Sequence, residues 1–284
     1  MRRAGHPHFV GLLASALAAA GCGGGDDGGG TGGGDVQPPL PRQWSAEQRL
    51  GWVLLSHRSR EPTMLGPPRC TLDVGLARAP SAGGVRVEAS DGPCVRVPSV
   101  ELDPSANGLL PACAGAVDVR LDETPTRLTV CGERFAAPIS LDCATVRDVR
   151  VLHATSGPDE LPGDELAGLD ASVVAPRLPG ITQPMWGGDG MAIWPSGPVH
   201  LRWEPTGSDG VEVSLGAVGG AGSVIHCLVP DTGSFTVPES LIAPYRAATA
   251  WLELASLAQH VERPGGVEVR VTFRRSTAIW LVRL

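Results

Sequence analysis

Seven cysteines carry the most constrained chemistry in this sequence: Cys22, Cys70, Cys94, Cys113, Cys131, Cys143 and Cys227. Cys22 stands apart, at the end of an apolar run. The other six form an even set with no C-x-x-C pair and no Cys/His cluster at ligand spacing, so they read as disulfides rather than as a zinc site. The least crossed pairing is Cys70–Cys94, Cys113–Cys131 and Cys143–Cys227, the last tying two halves of the chain together. His226 sits directly before Cys227, but on a strand the two side chains point to opposite faces and do not chelate. Disulfides imply an oxidising compartment.

Asp231-Thr232-Gly233-Ser234 spells the active-site motif of pepsin-like proteases, in which two copies meet so that paired aspartates share a proton and activate a water. Pro230 interrupts the preceding apolar pair Leu228-Val229, and no second Asp-Thr-Gly or Asp-Ser-Gly exists. The tetrapeptide therefore reads first as a turn and only remotely as an aspartic-type hydrolase site. No Gly-x-Ser-x-Gly elbow is present, and His57, His153, His200, His226 and His260 are scattered in or beside strand-like stretches. Asp159, Glu160, Asp164, Glu165 and Asp170 cluster without the spaced loop that calcium favours. No catalytic residue, metal site or cofactor is assigned, and the chain is not read as an enzyme. Trp186 and Trp194, flanking Gly187-Gly188-Asp189-Gly190, are the best ligand-binding candidates. Exposed, they would stack on a sugar or anchor a partner; tucked in, they would plug the end of a sandwich.

The elements that must carry these residues are short strands. Cys70–Ala77, Val85–Ala89, Cys94–Val97, Ala116–Leu121, Arg127–Val130 and Val146–His153 alternate between apolar and polar residues and are punctuated by turn residues. Leu50–Leu55 suits a buried strand, although Ser45-Ala46-Glu47-Gln48 before it resembles a helix start. Ser156–Pro184 reads as a connector rather than an element. After it come Val199–Trp203, Val211–Val218, Ser223–Val229, Ser234–Val237, Thr249–Ala255, Val267–Phe273 and Ala278–Val282, with a helical turn at Pro238–Ala243. Seven such strands in so short a stretch predict an immunoglobulin-like sandwich, with Trp203 as its buried tryptophan. The expected organisation is a leader at 1–21, a Gly/Pro-rich tether at 22–41, a Cys-rich β domain at 42–155, a connector at 156–184 and an immunoglobulin-like antiparallel β-sandwich at 185–284. The fold class is mainly β.

The N-terminus reads as an address. Arg2 and Arg3 precede an apolar run from Phe9 to Ala20, too short to span a bilayer, which ends in Ala18-Ala19-Ala20-Gly21-Cys22. This ending resembles the lipobox of bacterial lipoproteins, with Ala19 where that pattern usually has Leu. The resemblance makes Cys22 the acylated first residue of the mature chain; plain secretion by cleavage after Ala20 is the alternative. The segment from Gly23 to Pro41 cannot bury apolar area and serves as a flexible spacer with a root-mean-square span of about 25 Å. Gly23 after the cysteine, by resemblance to lipoprotein sorting, favours the outer membrane.

A second resemblance lies in Leu201-Arg202-Trp203-Glu204-Pro205, Val211–Leu215, Ile225-His226-Cys227 and Gly233–Pro238, joined by Ala175-Pro176 and Gln183-Pro184. Together they resemble a recurring tail of uncharacterised, glycine-rich lipoproteins of Gram-negative bacteria. The likeness covers roughly residues 115–284 and implies a fold and a location, but no activity, catalytic residue or ligand.

Composition agrees with this class. The chain has 284 residues, among them 38 Gly and 26 Pro, which disfavours a helical bundle. All 23 basic residues are arginine and the formal charge is −7, which runs against nucleic acid as a partner. The expected partners are a membrane, through the acyl anchor, and an envelope protein or glycan.

Overall fold

The structure is a computed structural model. It describes residues 49–60, 69–78, 87–98, 110–111, 115–130, 139–141, 145–153, 166–185, 190–193, 197–217, 222–245 and 249–282. The chain is mainly β. Its strands run β1 (Arg49–Arg60), β2 (Arg69–Arg78), β3 (Ala89–Asp91), β4 (Cys94–Pro98), β5 (Leu110–Pro111), β6 (Gly115–Leu121), β7 (Thr124–Val130), β8 (Ile139–Leu141) and β9 (Asp148–His153). There follow β10 (Asp170–Val174), β11 (Ile181–Gln183), β12 (Met191–Ile193), β13 (Val199–Trp203), β14 (Gly210–Ala217), β15 (Ser223–Val229), β16 (Ser234–Val237), β17 (Ala250–Glu262) and β18 (Glu268–Val282). The expected helical turn after Val237 is present at Glu239–Ile242, burying Leu241 and Ile242.

These strands build three sheets. An 11-stranded sheet has the order β3-β4-β15-β14-β17-β18-β1-β2-β5, with β12 beside β18 and β8 beside β2; the others are β10-β9-β6-β7 and β11-β13-β16. The large sheet does not divide at 156–184. Strand β1 pairs in parallel with β18, from Leu50 opposite Glu268 to Leu55 opposite Phe273, and β4 pairs with β15. Strands of both expected units are thus interleaved in one sheet. The reason is edge satisfaction: β18 is long enough to offer backbone partners to β17 on one side and to β1 and then β12 on the other. A strand so placed leaves no open ladder edge.

Both smaller sheets lie on the same face of the large one. Side chains alternate along a strand, and on β18 the odd residues Val269, Val271 and Phe273 join Val117, Val119, Val149, Val151 and Val173 in one apolar core. Ile279 and Leu281, also odd, join Leu201, Trp203, Val213, Leu215 and Leu252 in another. The four-stranded sheet therefore covers one end of this front face and the three-stranded sheet the other. The second pair, β11-β13-β16 facing β15-β14-β17-β18-β12, is consistent with an immunoglobulin-like sandwich. Trp203 is buried in it, as expected.

Between the two cores the connector runs as a strap over the middle of β17 and β18. Its carbonyls are taken up by side chains from the sheet below. Arg275 donates to the carbonyl oxygens of Pro176 (3.4 Å) and Val146 (2.7 Å), Thr277 Oγ1 to that of Pro179 (3.1 Å), and Ser256 Oγ to that of Arg177. Backbone without ladder partners needs acceptors and donors supplied elsewhere, and these three polar residues supply them. The stretch expected to carry no element also contains β10 and β11, each recruited as an edge strand.

The reverse face of the large sheet is buried as well, but differently composed. At one end Trp52 lies flat on Gly75, where a Cβ would come within 2.1 Å of the ring; at the other Trp251 lies on Gly216, with 2.7 Å available. Only glycine permits so close an approach. Between the two tryptophans the buried charges Arg58, Glu212, Glu253 and Arg274 lie among Leu54, Ala255 and Leu257.

Candidate functional site

The charged centre of this reverse face is the densest polar constellation among the described residues. Glu212 and Ser214 project from β14, His226 from β15, Glu253 from β17, Arg274 from β18 and Arg58 from β1. The registers make them neighbours: Ser214 stands opposite both His226 and Glu253, and Glu212 opposite Ala255, itself beside Ser276 and, across β18, Arg58. Exposure is 0% for Glu212 and Ser214, 1% for Glu253 and 3% for Arg274 and His226. Charges this deep survive only when paired.

The pairing is a continuous chain. Arg58 holds Glu253 with Nε and Nη2 at 3.0 and 3.2 Å. Arg274 then bridges the two acids, with Nη1 3.0 Å from Glu253 Oε1 and Nη2 3.2 Å from Glu212 Oε1. Ser214 Oγ donates to Glu212 Oε1 at 2.9 Å and meets His226 Nδ1 at 3.1 Å. Two guanidiniums balance two carboxylates, so the chain is neutral if the imidazole is.

Electrostatics follow from that arrangement. Burial works to raise the Glu253 carboxyl, but the Arg274 and Arg58 guanidiniums outweigh it and hold the group well below the usual carboxylate range. Burial works to lower Arg274, and Glu212 and Glu253 more than reverse this. His226 is pushed down to about 4 chiefly by burial, Glu212 and Glu253 opposing and Arg274 adding to the shift. At neutral pH the ring is therefore uncharged. Further along the same face, burial raises Asp73 to about 6 although the Trp52 indole N–H donates to it at 3.1 Å.

Asp231 is placed quite differently. Its Oδ1 accepts from the Trp203 indole at 2.8 Å, and its Oδ2 from Thr206 N (2.7 Å), Thr206 Oγ1 (2.9 Å), Ser208 N (3.1 Å) and Ser208 Oγ (3.3 Å). Burial pulls this carboxyl up, but the Trp203, Thr206 and Ser208 donors win and hold it ionised below the usual range. A carboxylate so occupied locks the 204–209 loop onto the β15–β16 turn. It is not poised to share a proton across a dyad.

The cysteine pairing needs correction. Cys94 is bonded to Cys227, which excludes the expected Cys70–Cys94 and Cys143–Cys227 pairs. The cause is the recruitment of β4 into the large sheet beside β15, which sets the two thiols directly opposite each other inside the sandwich core. Nearness in sequence was a poor guide because the strand's partner lies 133 residues away. Cys70 is disulfide-bonded too. Cys22, Cys113, Cys131, Cys143, Trp186 and Trp194 lie outside the described residues. His226 and Cys227 do point to opposite faces, the one into the charged chain and the other into the core.

Of the other histidines, His200 meets Thr236 Oγ1 at 2.9 Å and His260 meets Glu262 at 2.8 Å, both exposed, while His57 faces Arg275 on the front. Asp170, the one described member of the acidic cluster, pairs with Arg150 at 2.7 Å on the solvent side of β10. Among the described residues no group of three or more His, Cys, Asp or Glu side chains is placed to hold a metal ion. Likewise no helix there is long and apolar enough to cross a membrane.

Sequence reasoning missed Arg58, Glu212, Ser214, Glu253 and Arg274, because an acid or base between apolar neighbours reads as the wet face of a strand. A signal was present: Glu253 shares its face with Trp251, Ala255 and Leu257, company a solvent face seldom keeps. Comparison with protein-family models, with curated proteins and with solved structures finds no match.

Proposed function

We propose that this chain is an exported, lipid-anchored protein of the cell envelope, a disulfide-braced β module that works by structural contact rather than by catalysis. The observation that carries the reading is the Cys94–Cys227 bond. Its cysteines are 0% and 1% exposed inside an apolar core, so the fold is built around an oxidised pair and suits an oxidising compartment. The lipobox-like ending at Cys22 supplies the anchor and the Gly-rich tether the spacing. Cys22→Ala is expected to abolish incorporation of labelled palmitate in the producing cell. Labelling that persists in this variant removes the anchor and the proposal with it.

A second reading, binding of an envelope glycan through the Trp186/Trp194 loop, is favoured by the apolar residues that flank it. Met185 is 85% exposed, Met191 40% and Ile193 58%, an accumulation that marks interaction surfaces. Trp186→Ala is expected to lose binding on an array of envelope glycans, and equal binding by variant and parent would retire the reading.

A further inference from the structure

The hydrogen bonds at Ser214 fix the tautomer of His226. A serine hydroxyl has one proton, and here it goes to Glu212 Oε1 at 2.9 Å, since two bare acceptors would repel at that distance. The 3.1 Å contact with His226 must then be donated by the ring, so the proton sits on Nδ1. Nε2 is left as a bare acceptor, buried and without a partner among the described residues.

The surroundings determine what happens when that nitrogen takes a proton. From β14 the ring faces Ser214 and, beyond it, Glu212; from β17 Glu253; from β18 Arg274, with Arg58 of β1 behind Glu253. Across β4 its partner is Val95, which does not titrate. Both carboxylates are already matched by guanidiniums. A charged imidazole would therefore be a surplus cation with an N–H that no acceptor among the described residues meets, in a place where such a charge is very costly.

We propose that the Arg58–Glu253–Arg274–Glu212–Ser214–His226 chain is an acid-released latch: closed while His226 Nε2 is bare, and opened when that atom gains a proton and β15 must part from β14 to hydrate it. The Cys94–Cys227 bond determines what moves, because β4 is covalently tied to β15 and leaves with it, carrying the β3 hairpin partner. The edge β3-β4-β15 acts as one flap on a sheet whose remainder stays closed.

Linkage gives the size and sign. The imidazole of the opened strand titrates near its ordinary 6.5 and the closed one near 4, so between these values only the open form binds the proton. Going from pH 7 to pH 5 should therefore raise the opened population about twentyfold. Asp73, raised to about 6, titrates over the same range but lies on β2, in the part of the sheet that stays closed, and so affects parent and variant alike. A difference between parent and variant removes that background.

The test is hydrogen exchange on the full chain at pH 7 and pH 5, corrected for intrinsic rates, with His226→Asn as comparison. Asparagine keeps an N–H where Nδ1 stands and does not titrate. Protection at 223–229 and 94–98 should fall about twentyfold more in the parent than in the variant, while 148–153 behaves alike in both. An equal acid response in the two proteins overturns the latch. Should the variant not fold, ¹⁵N chemical shifts of the parent ring decide: a protonated Nδ1 with a bare Nε2 that holds from pH 7.5 to 5 supports it. The opposite tautomer, or titration near 6.5, overturns it.

Discussion

The two faces of the large sheet are equally dry and chemically opposite. On the front, Val269, Val271, Phe273, Ile279 and Leu281 of β18 meet two smaller sheets through apolar packing alone. On the reverse, Glu212, Glu253 and Arg274 are just as buried and are held by charge pairing. Alternation along these strands thus separates two kinds of interior, not inside from outside. The front face gains from every methylene it buries and tolerates reshaping. The reverse face gains little net from its ion pairs, whose attraction is largely offset by desolvation, yet it is intolerant of losing one member.

That contrast is sharpest at Arg274, which serves both acids. Arg274→Met should cost about 3–5 kcal/mol in urea unfolding, because Glu212 and half of Glu253's partners are left uncompensated. A loss near 1 kcal/mol would mean the pairs are wetter than their burial indicates. Leu252→Ala on the front should cost roughly 2–5 kcal/mol through the cavity it leaves, with no change between pH 7 and 5. A pH-dependent penalty there would show that the two faces are coupled. Smallest is Thr277→Val under the strap, expected at about 1 kcal/mol for the lost bond to the Pro179 carbonyl. An unchanged midpoint would assign the strap's fixation to Arg275 and Ser256 alone.

The same contrast explains what could be read from the sequence. Strands β2, β4, β6, β9 and β13 to β16 are legible to within a few residues, because their apolar alternation and flanking turn residues are local. Strand β18 does not read as one element from sequence. Arg274-Arg275-Ser276-Thr277 resembles a break between two strands, whereas Arg274 closes the charged chain and Arg275 and Thr277 hold the strap. Polar residues in mid-strand are illegible when their partners come from β14, β17 and the connector, since nothing nearby announces them. The parallel seat of β1 was hidden for the same reason, as was the partner of Cys94. For the candidate site, the separation of His226 from Cys227 followed from strand periodicity alone. The chain linking His226 to Arg58 required the register of five strands.

The seat of β1 has a consequence for how the molecule comes into being. The first described strand, β1, lies against the last, β18, with β2 on its other side. Half of its ladder must wait until residues 268–277 have been delivered, so closure of the large sheet is a late event. Until then the apolar run Trp52–Leu55 lacks one of its two neighbours, a stretch open to misassembly. Shortening the far end would unseat the near one.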